Sequence, residues 1–124
     1  MSQYFYVQQA EQFSFYRIPK LLFEDRRFSK ISIEAKLLYS ILLDKMSLCE
    51  KNNWFDAKCR VYVIFPTSEI MELLKCSKQK SFKLLGELEK NGNLIERVHQ
   101  GSGKPNLIYI KNYTEVPILK PDEI

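Results

Sequence analysis

Lys78, Gln79, Lys80 and Lys83 lie within six consecutive positions and carry the chemistry most suggestive of a task in this 124-residue chain. An amide can bond an adenine edge through two hydrogen bonds, and ammonium groups can reach guanine O6 and N7 or neutralise phosphates. Further along, Gly101, Ser102, Gly103 and Lys104 put a cation into a glycine-rich turn. Both groups bind rather than make or break bonds. His99 is the single histidine; a lone histidine in a strand is more often structural or solvent-exposed, although His99 and Arg97 stand close enough to the turn to approach a phosphate. The chain has no Gly-x-Ser-x-Gly, no glycine-rich phosphate loop after a strand and no His-Glu-x-x-His, so it offers no nucleophile, base or metal ligand to assign. Neither catalysis, a cofactor nor a bound metal is expected.

The elements that must position these residues can be read from capping and periodicity. Thr67, after Pro66, can cap a short helix carrying Ile70, Met71, Leu73 and Leu74, and Ser77 can cap a second helix that ends at Asn91-Gly92. Only Lys75-Cys76 separates them, which is the spacing of a helix-turn-helix. On the second helix, Ser81, Phe82, Leu84, Leu85 and Leu88 project over roughly 200° to 360°, taking Phe82 as zero, which defines a core face. Gln79, Lys80, Lys83, Gly86, Glu87 and Lys90 fall opposite. Lys78 projects toward the core side, but in the first turn it can still reach solvent. The exposed face therefore opens with an amide and cations, and its first acid is Glu87. A recognition helix enters the major groove by its N-terminal residues. Leu94 to His99 and Leu107 to Lys111 then read as two strands around the basic turn, completing the outline of a winged helix-turn-helix.

Before this unit, Ser32 is an N-cap signal with Glu34 in the first turn, and the helix it opens should run from Ile33 to about Cys49. Its apolar residues cover more than half the circumference and leave Lys36, Ser40, Asp44 and Ser47 as a narrow polar strip, as expected of a central helix. Lys51 to Lys58 reads as a loop and Arg60 to Phe65 as a strand stopped by Pro66. Lys20 to Phe23 can start a short helix that fades in Glu24 to Arg27. At the start, residues 3–8 and 12–17 are aromatic-rich runs that suit a hairpin or an extended arm. Such aromatic surface needs a partner, either the domain's own core or a second subunit.

Composition agrees with one soluble domain: 45% of residues are apolar and 27% charged. Ile31 to Leu48 is broken by Glu34, Lys36, Asp44 and Lys45, which excludes a membrane span there, and the N-terminus lacks a secretory signal pattern, so the cytoplasm is expected. Cys49, Cys59 and Cys76 have no Cys-x-x-Cys spacing and read as reduced, buried thiols rather than a metal or disulfide set. The net charge of +4 is not held in one block: Thr67 to Lys111 has eight Lys/Arg against five Glu, and Met1 to Pro66 ten against seven acids. Any basic patch must arise from placement on a face. The expected organisation is an α+β chain with an N-terminal arm or hairpin (1–19), a winged-helix domain (20–111) and a tail or linker (112–124).

Several segments resemble one family. Tyr16 to Phe23 (YRIPKLLF), Ala35 to Tyr39 (AKLLY), Leu42 to Asp44, Lys51 to Trp54 (KNNW), Val61 to Phe65 (VYVIF) and Gly101 to Ile110 (GSGKPNLIYI) look like the N-terminal domain of RepA-type plasmid replication initiators of Gram-positive bacteria. The resemblance implies a winged-helix domain that binds repeated double-stranded DNA sites of a plasmid origin as a dimer or larger assembly. It also implies that host replication proteins are engaged through a second domain that this chain does not contain. By position, the recognition helix maps onto Ser77 to Asn91 and the wing onto Gln100 to Asn106. Lys78, Gln79, Lys80 and Lys83 are then groove residues, Gly101, Ser102, Gly103 and Lys104 wing residues, and Ser77 a cap that can also donate to a phosphate. One departure stands out: where the family pattern suggests a glycine-containing turn before VYVIF, this chain has Ala57-Lys58-Cys59-Arg60. Outside this family, a transcriptional repressor on a single palindrome or a replisome protein-interaction module would use the same outline.

Overall fold

A computed structural model describes residues 3–7 and 14–116 of the chain. The central element is α2 (Ile33–Lys45), opened by Ser32, whose hydroxyl accepts the Ala35 amide at 3.1 Å. Its apolar residues point almost all round the axis, so a helix with this pattern must be enclosed. Ala35, Leu38, Tyr39, Ile41 and Leu42 are all buried. A 3-10 turn (Met46–Leu48) leads into the short α3 (Cys49–Asn52), which ends on Asn53 in the left-handed conformation at φ 55°. The helical path thus runs past Cys49 and takes up Lys51 and Asn52, which had read as loop.

The polar strip expected on α2 is only half exposed. Lys36 and Ser40 are buried, because the chain before α2 folds back across them. That chain contains α1 (Leu21–Glu24), and the Lys36 ammonium lies 4.6 Å from the Phe23 ring centroid while Ser40 returns its hydroxyl to the Lys36 carbonyl at 2.9 Å. After α1, Asp25 caps a 3-10 turn (Arg26–Phe28) rather than letting helix fade. Arg27 ion-pairs with Asp25 at 3.0 Å and donates to the Tyr113 and Val116 carbonyls, so residues 112–116 are tied onto the core, with Val116 buried. Residues 3–7 and 14–18 are exposed and form no strand, so the described parts of the two aromatic runs, 3–8 and 12–17, do not make the strands of a hairpin; residues 8 and 12–13 and the turn between the runs lie outside the described residues.

Three short strands form an antiparallel sheet in the order β1-β3-β2: β1 (Tyr62–Ile64), β2 (Ile95–Val98) and β3 (Leu107–Ile110). β3 lies in the middle, with Val63 opposite Ile108 and Ile108 opposite Arg97. Val63, Ile95 and Ile108 are buried with Leu84, Leu85 and Leu88, closing the core between helices and sheet. The strands are shorter than the periodicity suggested, since β1 begins at Tyr62 and not at Arg60.

Ahead of β1, the Asp56 carboxylate holds the turn that departs from the family pattern. It accepts the Lys58 and Arg60 amides, each at 2.9 Å, the Arg60 guanidinium at 2.8 Å and the Tyr109 hydroxyl at 3.1 Å. The backbone bond from Arg60 is the largest of the influences that lower its pKa to about 2. Cys59 takes the left-handed conformation at φ 62° and is exposed, contrary to the expectation of buried thiols; Cys49 and Cys76 are only half-buried, and all three are free. A side chain with a Cβ pays about 1 kcal/mol for such a φ. Cys59→Gly should therefore raise the melting temperature by a few degrees in calorimetry; an unchanged or lower midpoint would mean that the Asp56 network, not the residue at 59, sets the energy of the turn.

Candidate nucleic-acid interface

The helix-turn-helix is formed by α4 (Thr67–Leu74) and α5 (Lys78–Gly86). Thr67 is the first helical residue and not the cap: Pro66 occupies the cap, and its carbonyl accepts the Glu69 amide at 2.9 Å. Lys75 reverses the chain in the left-handed conformation at φ 52°. Ser77 caps α5 as expected, accepting the Lys80 amide at 3.0 Å. The helix does not end at a left-handed Asn91 or Gly92. It widens into a π turn (Glu87–Asn91), Gly92 stays at φ −100°, and Asn93 is the left-handed residue at φ 53°. Gly92 is closely packed: a Cβ there would stand 2.7 Å from Ile31 Cδ1, so that side chain would have to shift.

Ser81, Leu84, Leu85 and Leu88 face the core, but Phe82 does not: it is 45% exposed. At about 100° per residue the four buried side chains centre on roughly 250°, which leaves Phe82 some 110° away, at the rim of the outward face. Lys78 lies beside it, exposed, with its ammonium 5.8 Å from the Phe82 ring centroid. Gln79 and Lys83 are exposed at the centre of that face. One turn further, a Cβ added to Gly86 would meet no atom within 4 Å, so neither packing nor φ requires glycine there.

The opposite rim turns inward. Lys80 is half-buried and its ammonium sits 2.9 Å from Glu34 Oε2 on α2, a hydrogen bond that raises the lysine pKa. Glu87, predicted to be the first exposed acid, is half-buried and accepts the Ser32 amide at 2.8 Å and the Ser32 hydroxyl at 3.2 Å. These two contacts, from Lys80 on α5 and from Glu87 at the start of the π turn, dock the helix on the N-terminus of α2.

The wing is likewise pinned. Arg97 gives Glu89 its backbone amide at 2.8 Å and two guanidinium hydrogen bonds at 3.0 and 2.8 Å, so the side chain whose position had suggested a phosphate contact is engaged within the fold. Burial opposes ionisation of Glu89, but the bonds and charge of Arg97 outweigh it and the carboxyl pKa is lowered. Beyond the strands, His99 Nδ1 pairs with Asn106 Oδ1 at 3.0 Å and the Gln100 amide donates to the Pro105 carbonyl at 2.8 Å. These two rungs extend the hairpin to a tip where Gly101 and Gly103 adopt φ 119° and 81°, values that strain any residue with a Cβ. Ser102, Gly103 and Lys104 are exposed at that tip. Chemically, the arrangement offers an outward helix face of two ammonium groups with no acidic partner among the described residues, an amide and a phenyl ring, with a basic loop rooted on the turn that follows it.

The Arg97–Glu89 and Lys80–Glu34 pairs were missed by sequence reasoning. Charge spacing along one helix cannot reveal a partner on another element, although the opposite charges themselves were visible.

Comparison with known proteins places these features in a family context. A family model described as "Replication initiator protein A (RepA) N-terminus" matches residues 14–120. A curated relative, the "41 kDa protein" of Lactobacillus helveticus, is 29% identical over 109 residues; the match takes in 87% of this chain and 30% of the relative. Among solved structures, a chain described as "Structure of Rep-DNA complex" superposes with a TM-score of 0.73 at 33% identity, covering 98% of this chain and 89% of that one. Another, "N-Terminal domain of DNA binding protein", has the same TM-score at 32% identity and covers 99% and 90% respectively. "Structure of MDR initiator" gives 0.70 at 30% identity, covering 98% and 92%.

Proposed function

Because the chain belongs to the RepA N-terminus family of replication initiators, we propose that it binds repeated double-stranded sites in a plasmid replication origin and thereby starts replication. The observation that carries this reading is the outward face of α5, where Lys78, Gln79 and Lys83 are exposed together on the second helix of a helix-turn-helix. The solved relative described as a Rep–DNA complex supports it at 33% identity. In this reading Ser77, Lys78, Gln79, Lys80 and Lys83 meet the major groove and its phosphates, Lys80 only after leaving Glu34. Gly101, Ser102, Gly103 and Lys104 lie against the flanking backbone, where glycine lets the loop approach closely.

The function is recognition and assembly, without catalysis. Copies bound to adjacent repeats concentrate the initiator, and a second domain outside these 124 residues engages host replication proteins in the cytoplasm. The exposed aromatic side chains Phe15 and Tyr16, at 62% and 48% exposure, favour the N-terminal segment (1–19) as the contact between copies. Among the described residues, no helix is long and apolar enough to cross a membrane.

Footprinting on the plasmid that encodes the chain, over a series of salt concentrations, tests this. Protection of tandem direct repeats, weakening steeply with salt, is the expected result. Protection of one inverted repeat over a promoter would identify a repressor instead, and no protection at low salt would point to a protein-interaction module.

A further inference from the structure

Phe82 is an anomaly on a polar helix face. It is 45% exposed while Ser81 next to it is fully buried, so the core has taken up the small polar residue and left the large ring outside. Ser81 tolerates this because its hydroxyl bonds the Ser77 carbonyl at 3.1 Å. Around the ring stand cations and an amide: Lys78 one turn before, Gln79 three residues before and Lys83 beside it. One turn after, Gly86 leaves open space, with no atom within 4 Å of where a Cβ would be. A polyanion is the partner this surrounding charge favours.

A phenyl ring has no donor or acceptor, so it can neither hold a phosphate nor read a polar base edge. The one apolar group on the floor of the major groove is the thymine 5-methyl. Resting on the proposal that α5 enters a major groove, we infer that Phe82 is a specificity-determining residue that seats a thymine methyl, next to an adenine bonded by Gln79. The space at Gly86 lets the groove wall come close enough for that contact. Recognition should accordingly require an A·T pair at the position under Phe82, an order that charge on this face does not impose.

The test uses the whole chain and a duplex recovered by repeated selection from a random 25-base-pair library. Each thymine of that duplex is replaced singly by deoxyuridine, which pairs identically but lacks the methyl. One or two positions should lose about fourfold in affinity, the factor that goes with burying one methyl-sized group. In F82A those same replacements should be neutral, while F82L should keep part of the loss. Because the ring is half exposed, F82A should melt within about 2 °C of the original chain. A selected duplex insensitive to every thymine replacement, or F82A with the original sensitivity, would overturn the assignment and leave DNA binding standing. Failure to select any sequence would overturn both.

Discussion

Alanine at both Lys78 and Lys83 should weaken binding to an origin repeat by about 30-fold at physiological salt and lower the slope of log affinity against log salt by about 2. Each phosphate neutralised contributes about 0.9 to that slope, which at about 0.15 M salt amounts to roughly fivefold in affinity per lysine. Both ammonium groups stand on the exposed face of α5 with no acidic partner within ion-pair distance among the described residues, so both are available for this exchange. Lys80→Ala is the informative contrast. Its ammonium must first leave Glu34, and a solvent-screened pair of this kind is weak, so breaking it offsets much of what one phosphate contact returns. The loss at Lys80 should therefore stay below about threefold. Affinity and slope unchanged in the double variant would remove α5 from the interface, and a large loss at Lys80 would show that its contact with DNA outweighs the Glu34 pair.

Replacing Glu89 by alanine should cost about 2 to 3 kcal/mol of stability and lower the melting temperature by roughly 10 °C. One carboxylate there satisfies the Arg97 amide and two guanidinium hydrogen bonds, with about a quarter of each side chain exposed. Truncation strands a half-buried cation and a backbone donor together, the situation in which losing one partner is more damaging than never having the pair. Partial exposure keeps the effect below that of a fully buried pair. The wing should loosen at its root, so DNA affinity should fall even though Glu89 touches no DNA in this reading. Adding Arg97→Ala should recover part of the stability, a coupling that a double-mutant cycle measures directly. Additive losses would mean that the pair does not anchor the wing. The pH dependence has a defined sign: the Glu89 carboxyl is depressed in the fold. Its contribution is therefore complete above the ordinary carboxylate pKa of about 4.3, and disappears as pH falls through the lower folded value.

Much of the architecture was legible because it depends on local signals. Ser32 and Ser77 are caps whose hydroxyls bond amides three residues ahead, and such contacts require no other part of the chain. The Gly101 and Gly103 tip followed from turn chemistry in the same way. Less legible was anything settled by crowding between elements. Lys36 and Ser40 read as an exposed strip because the helix alone cannot show that the segment before it folds back over them. Gly92 read as a left-handed cap, yet it stays at φ −100° and what crowds it is Ile31, sixty-one positions earlier in the chain.

The order of helix, reversal, helix and basic hairpin, the Ser77 cap of its second helix and the family it belongs to are properties of the amino-acid sequence by itself. They rest on interactions only a few residues long or on motifs read directly along the chain. Tertiary structure decided which cations of α5 face outward. The side chains of Ser81, Leu84, Leu85 and Leu88 fill the core, the docking on α2 engages Lys80 and Glu87, and the face that remains belongs to Lys78, Gln79, Phe82 and Lys83. Helical periodicity sets an angle about one axis, but what a side chain meets at that angle depends on where the neighbouring elements come to rest.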